Sequence, residues 1–239
     1  MNSSIRNNKP KLKFIIFDID GTLTDTTTID DKCYINSFET LFETSIRKIN
    51  WSDLKNVTDW GIAEELVRIK LNREISNEEL SKLKNLFVEN LKMELELDES
   101  QFSEISGAGI FFKSLSINSN YQLGIATGGW EQSANLKLAA IGIDPNKTSY
   151  SNSSYFKSRE LITEDVIKKI KRNTNKTPNE IIYFGDGEWD YLTCQKLGIR
   201  FIGIDVRKNG KLKKLGVSEI YNNFNNSEII MKSIMNSSR

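Results

Sequence analysis

Phe14-Ile15-Ile16-Phe17-Asp18-Ile19-Asp20-Gly21-Thr22-Leu23-Thr24-Asp25 is the stretch on which the rest of the chain is organised. Four apolar residues, β-branched or aromatic, run into two carboxylates one residue apart. A short unbroken run of this kind predicts a strand buried on both faces, as in a parallel sheet. Ligands of open parallel sheets bind just beyond the carboxyl ends of the strands. Asp18 and Asp20 stand there, and Gly21 lets the chain turn sharply.

Downstream, the pattern turns helical for about eighty residues. Tyr34, Phe38, Leu41, Phe42, Ser45 and Ile49 follow i, i+3/i+4 spacing, as do Ile62, Leu66 and Ile69 within Trp60 to Leu71. Ser76-Asn77-Glu78-Glu79 is a capping-box signature, and Leu80, Leu83, Phe87 and Leu91 share one face of the helix it opens. No strand signal interrupts. One crossover needs only about 10–15 helical residues, so residues 26–106 are expected to be a helical insertion, with residues 1–25 and 107–239 forming one α/β domain.

The strand–helix rhythm resumes after Gly107-Ala108-Gly109. A helix is expected over Ile110 to Leu115, a strand over Tyr121 to Ala126, and a helix over Trp130 to Ile141. An extended piece follows near Thr148 to Tyr150. Then come a helix at Arg159 to Lys171, a strand at Ile181 to Gly185, a helix at Glu188 to Leu197 and a strand at Phe201 to Ile204. An edge strand at Ser218 to Tyr221 and a helix from Ser227 close the chain. Asn173 to Asn175 and Asn222 to Asn226 are expected to be loops. The alternation implies a doubly wound parallel sheet with right-handed crossovers. Thr127 and Asp186 then follow buried strands and share one rim of the sheet with Asp18 and Asp20.

Composition narrows the chemistry. The 239 residues carry a net charge of +1, which argues for neither nucleic acid nor membrane as a partner. No apolar run approaches the length of a membrane span. Met1 to Pro10 is polar, lacks the apolar core of a signal peptide and is expected to be a frayed tail; together these features point to the cytoplasm. Cys33 and Cys194 form no paired motif and are expected to be reduced thiols packed near helices. The chain has no histidine, which removes Ser-His-Asp and Cys-His catalysis. Acid–base work falls to carboxylates, lysine, tyrosine or metal-bound water, and oxygen ligands point to magnesium (Mg2+) rather than zinc.

Asp-x-Asp-Gly-Thr-Leu-x-Asp after an apolar strand resembles the first motif of the haloacid dehalogenase-like (HAD) hydrolase superfamily. The resemblance extends to Thr127 in Ala126-Thr127-Gly128-Gly129 and to Gly185-Asp186-Gly187-Glu188-Trp189-Asp190, and runs from about Lys13 to Ile204. It implies a Rossmann-like core with an inserted helical cap, and a magnesium-dependent phosphatase acting on a small phosphorylated metabolite such as phosphoglycolate or a sugar phosphate. On that resemblance Asp18 is the nucleophile that forms an aspartyl-phosphate, and Asp20 is the acid–base. The Thr127 hydroxyl and the following N–H, of Gly128, hold a phosphoryl oxygen. Asp18, Asp186 and the backbone carbonyl of Asp20 hold the metal, with Asp190 behind a water. The basic residue of the third motif is Arg159, which abuts a helix, or alternatively Lys157.

Asp25 is expected to hydrogen-bond the turn. The run Lys168 to Arg172 is expected to be a solvated helix face. Trp60, with Asp59 and Gly61, is expected in the core of the insertion or along the substrate pocket. A β-phosphoglucomutase-like phosphotransferase shares all four motifs and is the nearest alternative. From another class, a phospho-acceptor signalling receiver would share the acidic site but not the helical insertion, and a catalytically silent binding protein of this fold would share both.

Overall fold

The computed structural model describes residues 11–236, so the expected tail at Met1 to Pro10 lies outside the described residues. Its elements run β1 (Lys13–Phe17), α1 (Thr27–Phe42), α2 (Asp59–Leu71), α3 (Asn77–Leu97), α4 (Ala108–Ser116), β2 (Tyr121–Ala126), α5 (Glu131–Ala140) and β3 (Ser149–Ser151). After these come α6 (Arg159–Thr174), β4 (Glu180–Gly185), α7 (Glu188–Leu197), β5 (Arg200–Ile204), α8 (Lys211–Lys214), β6 (Ile220–Tyr221) and α9 (Ser227–Met235). The six strands form one parallel sheet in the order β3-β2-β1-β4-β5-β6. This is the α/β doubly wound architecture expected from the sequence.

β1 is central and buried along its whole length. Ile15 and Phe17 point into one apolar cluster, with Phe111, Leu115, Phe184 and Phe224. Phe14 and Ile16 point into another, with Val166, Ile170, Tyr183 and Phe201. A strand with helices on both faces has no use for polar alternation, which is why its sequence is continuously apolar. Phe17 pairs with Ile125 of β2 and with Phe184 of β4. This register brings Asp18, Thr127 and Asp186 to the same rim.

Helices α1, α2 and α3 close on a third cluster containing Phe38, Ala63, Leu66, Leu83, Phe87 and Leu91. Trp130, contributed from the start of α5, is buried in the same cluster. The Ser76 capping box forms as expected: Ser76 Oγ accepts from Glu79 N, and Glu79 Oε2 accepts from Ser76 N.

Some boundaries differ from the sequence pattern. α1 stops at Phe42, because Glu43 adopts a left-handed conformation with φ 51°. Ser45 and Ile49 therefore continue its spacing without belonging to its helix. Asn173 lies in the last turn of α6 rather than in a loop, and Asn175 is the left-handed residue that ends it. β6 is only two residues long. Cys33 in α1 and Cys194 in α7 are both free and buried, and burial pushes the Cys33 thiol up to about 12. Among the described residues, no helix is long and apolar enough to cross a membrane.

Candidate active site

The rim of the sheet carries a compact group of carboxylates. One oxygen each from Asp18, Asp186 and Asp190 lies within 4.8 Å of the others. Gly21 makes this approach possible. Its φ is 76°, and a Cβ there would stand 2.0 Å from Asp186 Oδ2. Only glycine meets both demands.

Arg159 faces this group from the first residue of α6. Its Nη1 donates to Asp18 Oδ1 at 3.1 Å and to Asp190 Oδ1 at 2.7 Å. Gly128 allows the guanidinium its place, because a Cβ there would meet Nη2 at 2.7 Å. Lys157 goes elsewhere: its Nζ pairs with Glu64 at 2.5 Å and lies over the Trp60 ring. Of the two basic candidates, only Arg159 reaches Asp18. Trp60 also departs from expectation. It neither lines the cavity beside Asp18 nor joins the cluster of α1 to α3, and its Nε1 donates to Glu64 Oε1 at 3.1 Å.

Burial dominates the electrostatics. It pushes the Asp18 carboxyl up to about 8, against the opposing pull of Arg159 and with help from Asp190 and Asp20. Asp186 is raised well above the usual carboxylate range by burial and by the charges of Asp18 and Asp190. Among the described residues, its carboxylate receives no hydrogen bond and forms no ion pair. A half-buried carboxylate with this little compensation, beside the buried Asp18 and Asp190, offers the donor set of a hard divalent cation. Asp190 is better satisfied, since Arg159, Tyr183 OH and Gly187 N all donate to it.

Asp20 points away from the cluster. Lys137 Nζ lies 2.7 Å from its Oδ1 and 2.8 Å from its Oδ2, and Thr26 Oγ1 donates to Oδ1 at 2.5 Å. The Lys137 ammonium also pairs with Asp30, and its side chain is wholly buried. Burial works against that charge, yet Asp20, Asp30 and Asp59 together hold it well above the usual lysine range. The sequence reading missed Lys137. Its signal was a charge on the buried face of α5, between Ala134 and Leu138.

The α1–α3 unit touches the site through residues 57–59. Asp59 N donates to Gly128 O, Thr58 Oγ1 to Lys157 O, and Arg159 Nε to Val57 O. Asp59 Oδ2 accepts from Trp130 N at 2.8 Å, and burial pushes its carboxyl up to about 7. Beneath lies a cavity of about 80 Å³, lined by Asp18, Asp20, Asp186, Gly128 and Arg159 on one side and by Asp31, Tyr34, Trp51 and Asp59 on the other. Thr127 is buried and is not among the residues lining the cavity, to which its neighbours Gly128 and Gly129 contribute; its Oγ1 accepts from Gly129 N at 3.1 Å. Asp25 is exposed; among the described residues its carboxylate makes no hydrogen bond to the turn, and its backbone N–H donates to Ser103 O at 2.9 Å.

Solved structures share this fold. A structure of a hydrolase from Pseudomonas syringae superposes with a TM-score of 0.73 at 20% identity, covering 92% of this chain and 98% of its own. A β-phosphoglucomutase from Clostridium difficile gives 0.70 at 18% identity, covering 92% and 96%. A protein from Haemophilus somnus 129PT, titled a predicted phosphoglycolate phosphatase, gives 0.61 at 15% identity, covering 92% and 98%. No curated protein matches the sequence. The family model for haloacid dehalogenase-like hydrolases matches residues 15–204, spanning the carboxylate rim, Lys137 and Arg159, and the chain belongs to that family.

Proposed function

We propose that this protein is a magnesium-dependent phosphatase that hydrolyses a small phosphorylated metabolite through an aspartyl-phosphate. The observation that carries the reading is the division of labour between two carboxylates one residue apart. Asp18 faces the cavity beside Arg159 and Asp186, whereas Asp20 is held aside by Lys137 and Thr26.

In this reading Asp18 attacks phosphorus. The new P–O bond forms as the bond to the leaving oxygen breaks, and Asp20 delivers the proton that oxygen needs. To do so Asp20 turns away from Lys137, while Asp30 retains the ammonium. Asp20 then takes a proton from water as that water attacks the phospho-aspartate, and free phosphate leaves. Arg159, Gly128 N–H and the Thr127 hydroxyl face the transferring oxygens, where neutralisation of charge matters most. Asp18, Asp186 and the backbone carbonyl of Asp20 would hold magnesium, with Asp190 at its edge. The ion would offset repulsion between the Asp18 carboxylate and the phosphate. Residues 26–106 act as the cap that excludes water, supported by the apolar cluster they build around Trp130 and by the bonds of residues 57–59 to the rim.

Release of inorganic phosphate from p-nitrophenyl phosphate tests this reading. Activity is expected with magnesium and lost with EDTA, and Asp186→Ala is expected to weaken magnesium binding measured by calorimetry. Full turnover in metal-free buffer would overturn the metal assignment. Consumption of substrate with transfer of phosphate to a second sugar, and none released, would mark a phosphotransferase instead.

A further inference from the structure

The cavity wall opposite Asp18 bears on the organic half of the substrate, an inference that rests on the phosphatase reading above. Arg159 is the one cation among the described residues lining this cavity, and it is already paired with Asp18 and Asp190. Lys137, behind the wall, is already paired with Asp20 and Asp30. Within this cavity no positive side chain among the described residues is left to receive a second anionic group; Arg207 lines the adjoining cleft that shares Asp31, Trp51 and Trp189, where its Nη2 donates to Thr28 Oγ1 at 2.7 Å.

The wall offers acceptors instead. Asp31, on α1, lines the cavity and forms no ion pair among the described residues; its Oδ1 accepts from Trp51 Nε1 at 2.9 Å. Trp51 in turn packs edge-on against Tyr34, with ring centroids 6.0 Å apart, which holds the carboxylate in place. Asp59 accepts from Trp130 N through Oδ2. Each carboxylate keeps an oxygen with no hydrogen bond among the described residues; burial raises both carboxyls, that of Asp59 to about 7, and above that pH the ionised Asp59 only accepts. A hydroxyl or ammonium entering the cavity meets these carboxylates on a lining that also includes Trp51 and Trp189. A carboxylate on the substrate meets like charge. At about 6 Å and an effective dielectric near 20, that repulsion corresponds to roughly a hundredfold in binding.

We propose that the substrate is a phosphate monoester whose organic part offers hydrogen-bond donors, hydroxyl or ammonium, to Asp31 and Asp59 and carries no carboxylate. The assay is kcat/KM for phosphate release by the full chain in magnesium buffer at pH 8, above the raised Asp59 value. The hydroxyl esters are glucose 6-phosphate and glycerol 3-phosphate, the ammonium ester is ethanolamine phosphate, and the carboxylate esters are phosphoglycolate and 3-phosphoglycerate. p-Nitrophenyl phosphate is the reference.

At least one hydroxyl or ammonium ester is expected to exceed both carboxylate esters by about tenfold or more, and the arm that does so identifies the donor. Asp31→Asn, checked for folding by circular dichroism, is expected to narrow that preference by about tenfold. Hydrolysis of p-nitrophenyl phosphate without that preference, or with the carboxylate esters preferred, overturns the inference and leaves the phosphatase reading standing. A preference that Asp31→Asn does not narrow overturns the role of Asp31. Release of phosphate from none of the esters, the reference included, overturns both readings.

Discussion

Replacing Lys137 with methionine keeps most of the side-chain volume of α5 and deletes one charge. That ammonium is wholly buried and holds Asp20 and Asp30. Both carboxylates remain, and Asp59 is close enough to act on the same charge. Removing one partner of a buried ion pair typically costs about 3–5 kcal/mol, because the survivors keep their desolvation penalty without compensation. For a chain of this length, 1 kcal/mol moves the melting temperature by roughly 2–4 °C, so Lys137→Met is expected to lower it by about 6–20 °C.

The loss is expected to depend on pH. Burial raises the Asp30 carboxyl and Lys137 opposes that rise; without the lysine it climbs further. A folded carboxyl raised above its unfolded value binds a proton the unfolded chain releases, so stability falls as pH increases between the two values. The deficit is therefore smaller at pH 5 than at pH 8. Lys137→Met/Asp30→Asn removes one of the stranded charges and is expected to be more stable than Lys137→Met alone, a non-additivity that reports direct coupling. Activity is expected to fall about tenfold to a hundredfold through misplacement of Asp20. Thermal unfolding followed by circular dichroism at both pH values, with phosphate release in parallel, checks all of this. A melting temperature within 1 °C of wild type at pH 8 and turnover within twofold would refute the reasoning.

Asp59→Asn keeps the acceptor for Trp130 N and removes a carboxyl that burial pushes up to about 7. The wild-type carboxyl penalises folding increasingly from about pH 4 to pH 7, so the variant is expected to gain on wild type by about 1–3 kcal/mol at pH 8.5 relative to pH 5; parallel pH profiles of the two melting temperatures would refute this. Gly21→Ala places a Cβ 2.0 Å from Asp186 Oδ2 at φ 76°, and is expected to abolish magnesium binding by calorimetry or to fail to fold; wild-type affinity in a folded variant would contradict it. Asp18→Asn is expected to give no burst with p-nitrophenyl phosphate in quenched flow. Asp20→Asn is expected to give a burst near one equivalent and then turnover slowed about 10²–10⁴-fold, because p-nitrophenolate leaves without a proton but the phospho-enzyme still needs a base.

What the sequence alone determined was local. The run Phe14 to Phe17 is continuously apolar because both of its faces are buried, and one-dimensional order suffices to read that. Asp18, Thr127 and Asp186 each follow a strand directly, so their place on the rim came with the strands. Arg159 could be favoured over Lys157 from its position against a helix, but only the fold separates them, by turning Lys157 to Glu64 and Trp60. The end of α1 at Glu43 was equally hidden, since the apolar spacing continues past it to Ile49. The tertiary structure alone decided the pairing of Lys137 with Asp20 and Asp30, which lie 117 and 107 residues away in the chain. No periodicity records such a pair, because a buried charge is tolerable only where distant elements bring it a partner, and sequence spacing carries no information about which elements meet. The acceptor-lined wall of Asp31 and Asp59 belongs to the same class: its chemistry exists only once α1 and the start of α2 stand over the rim of the sheet.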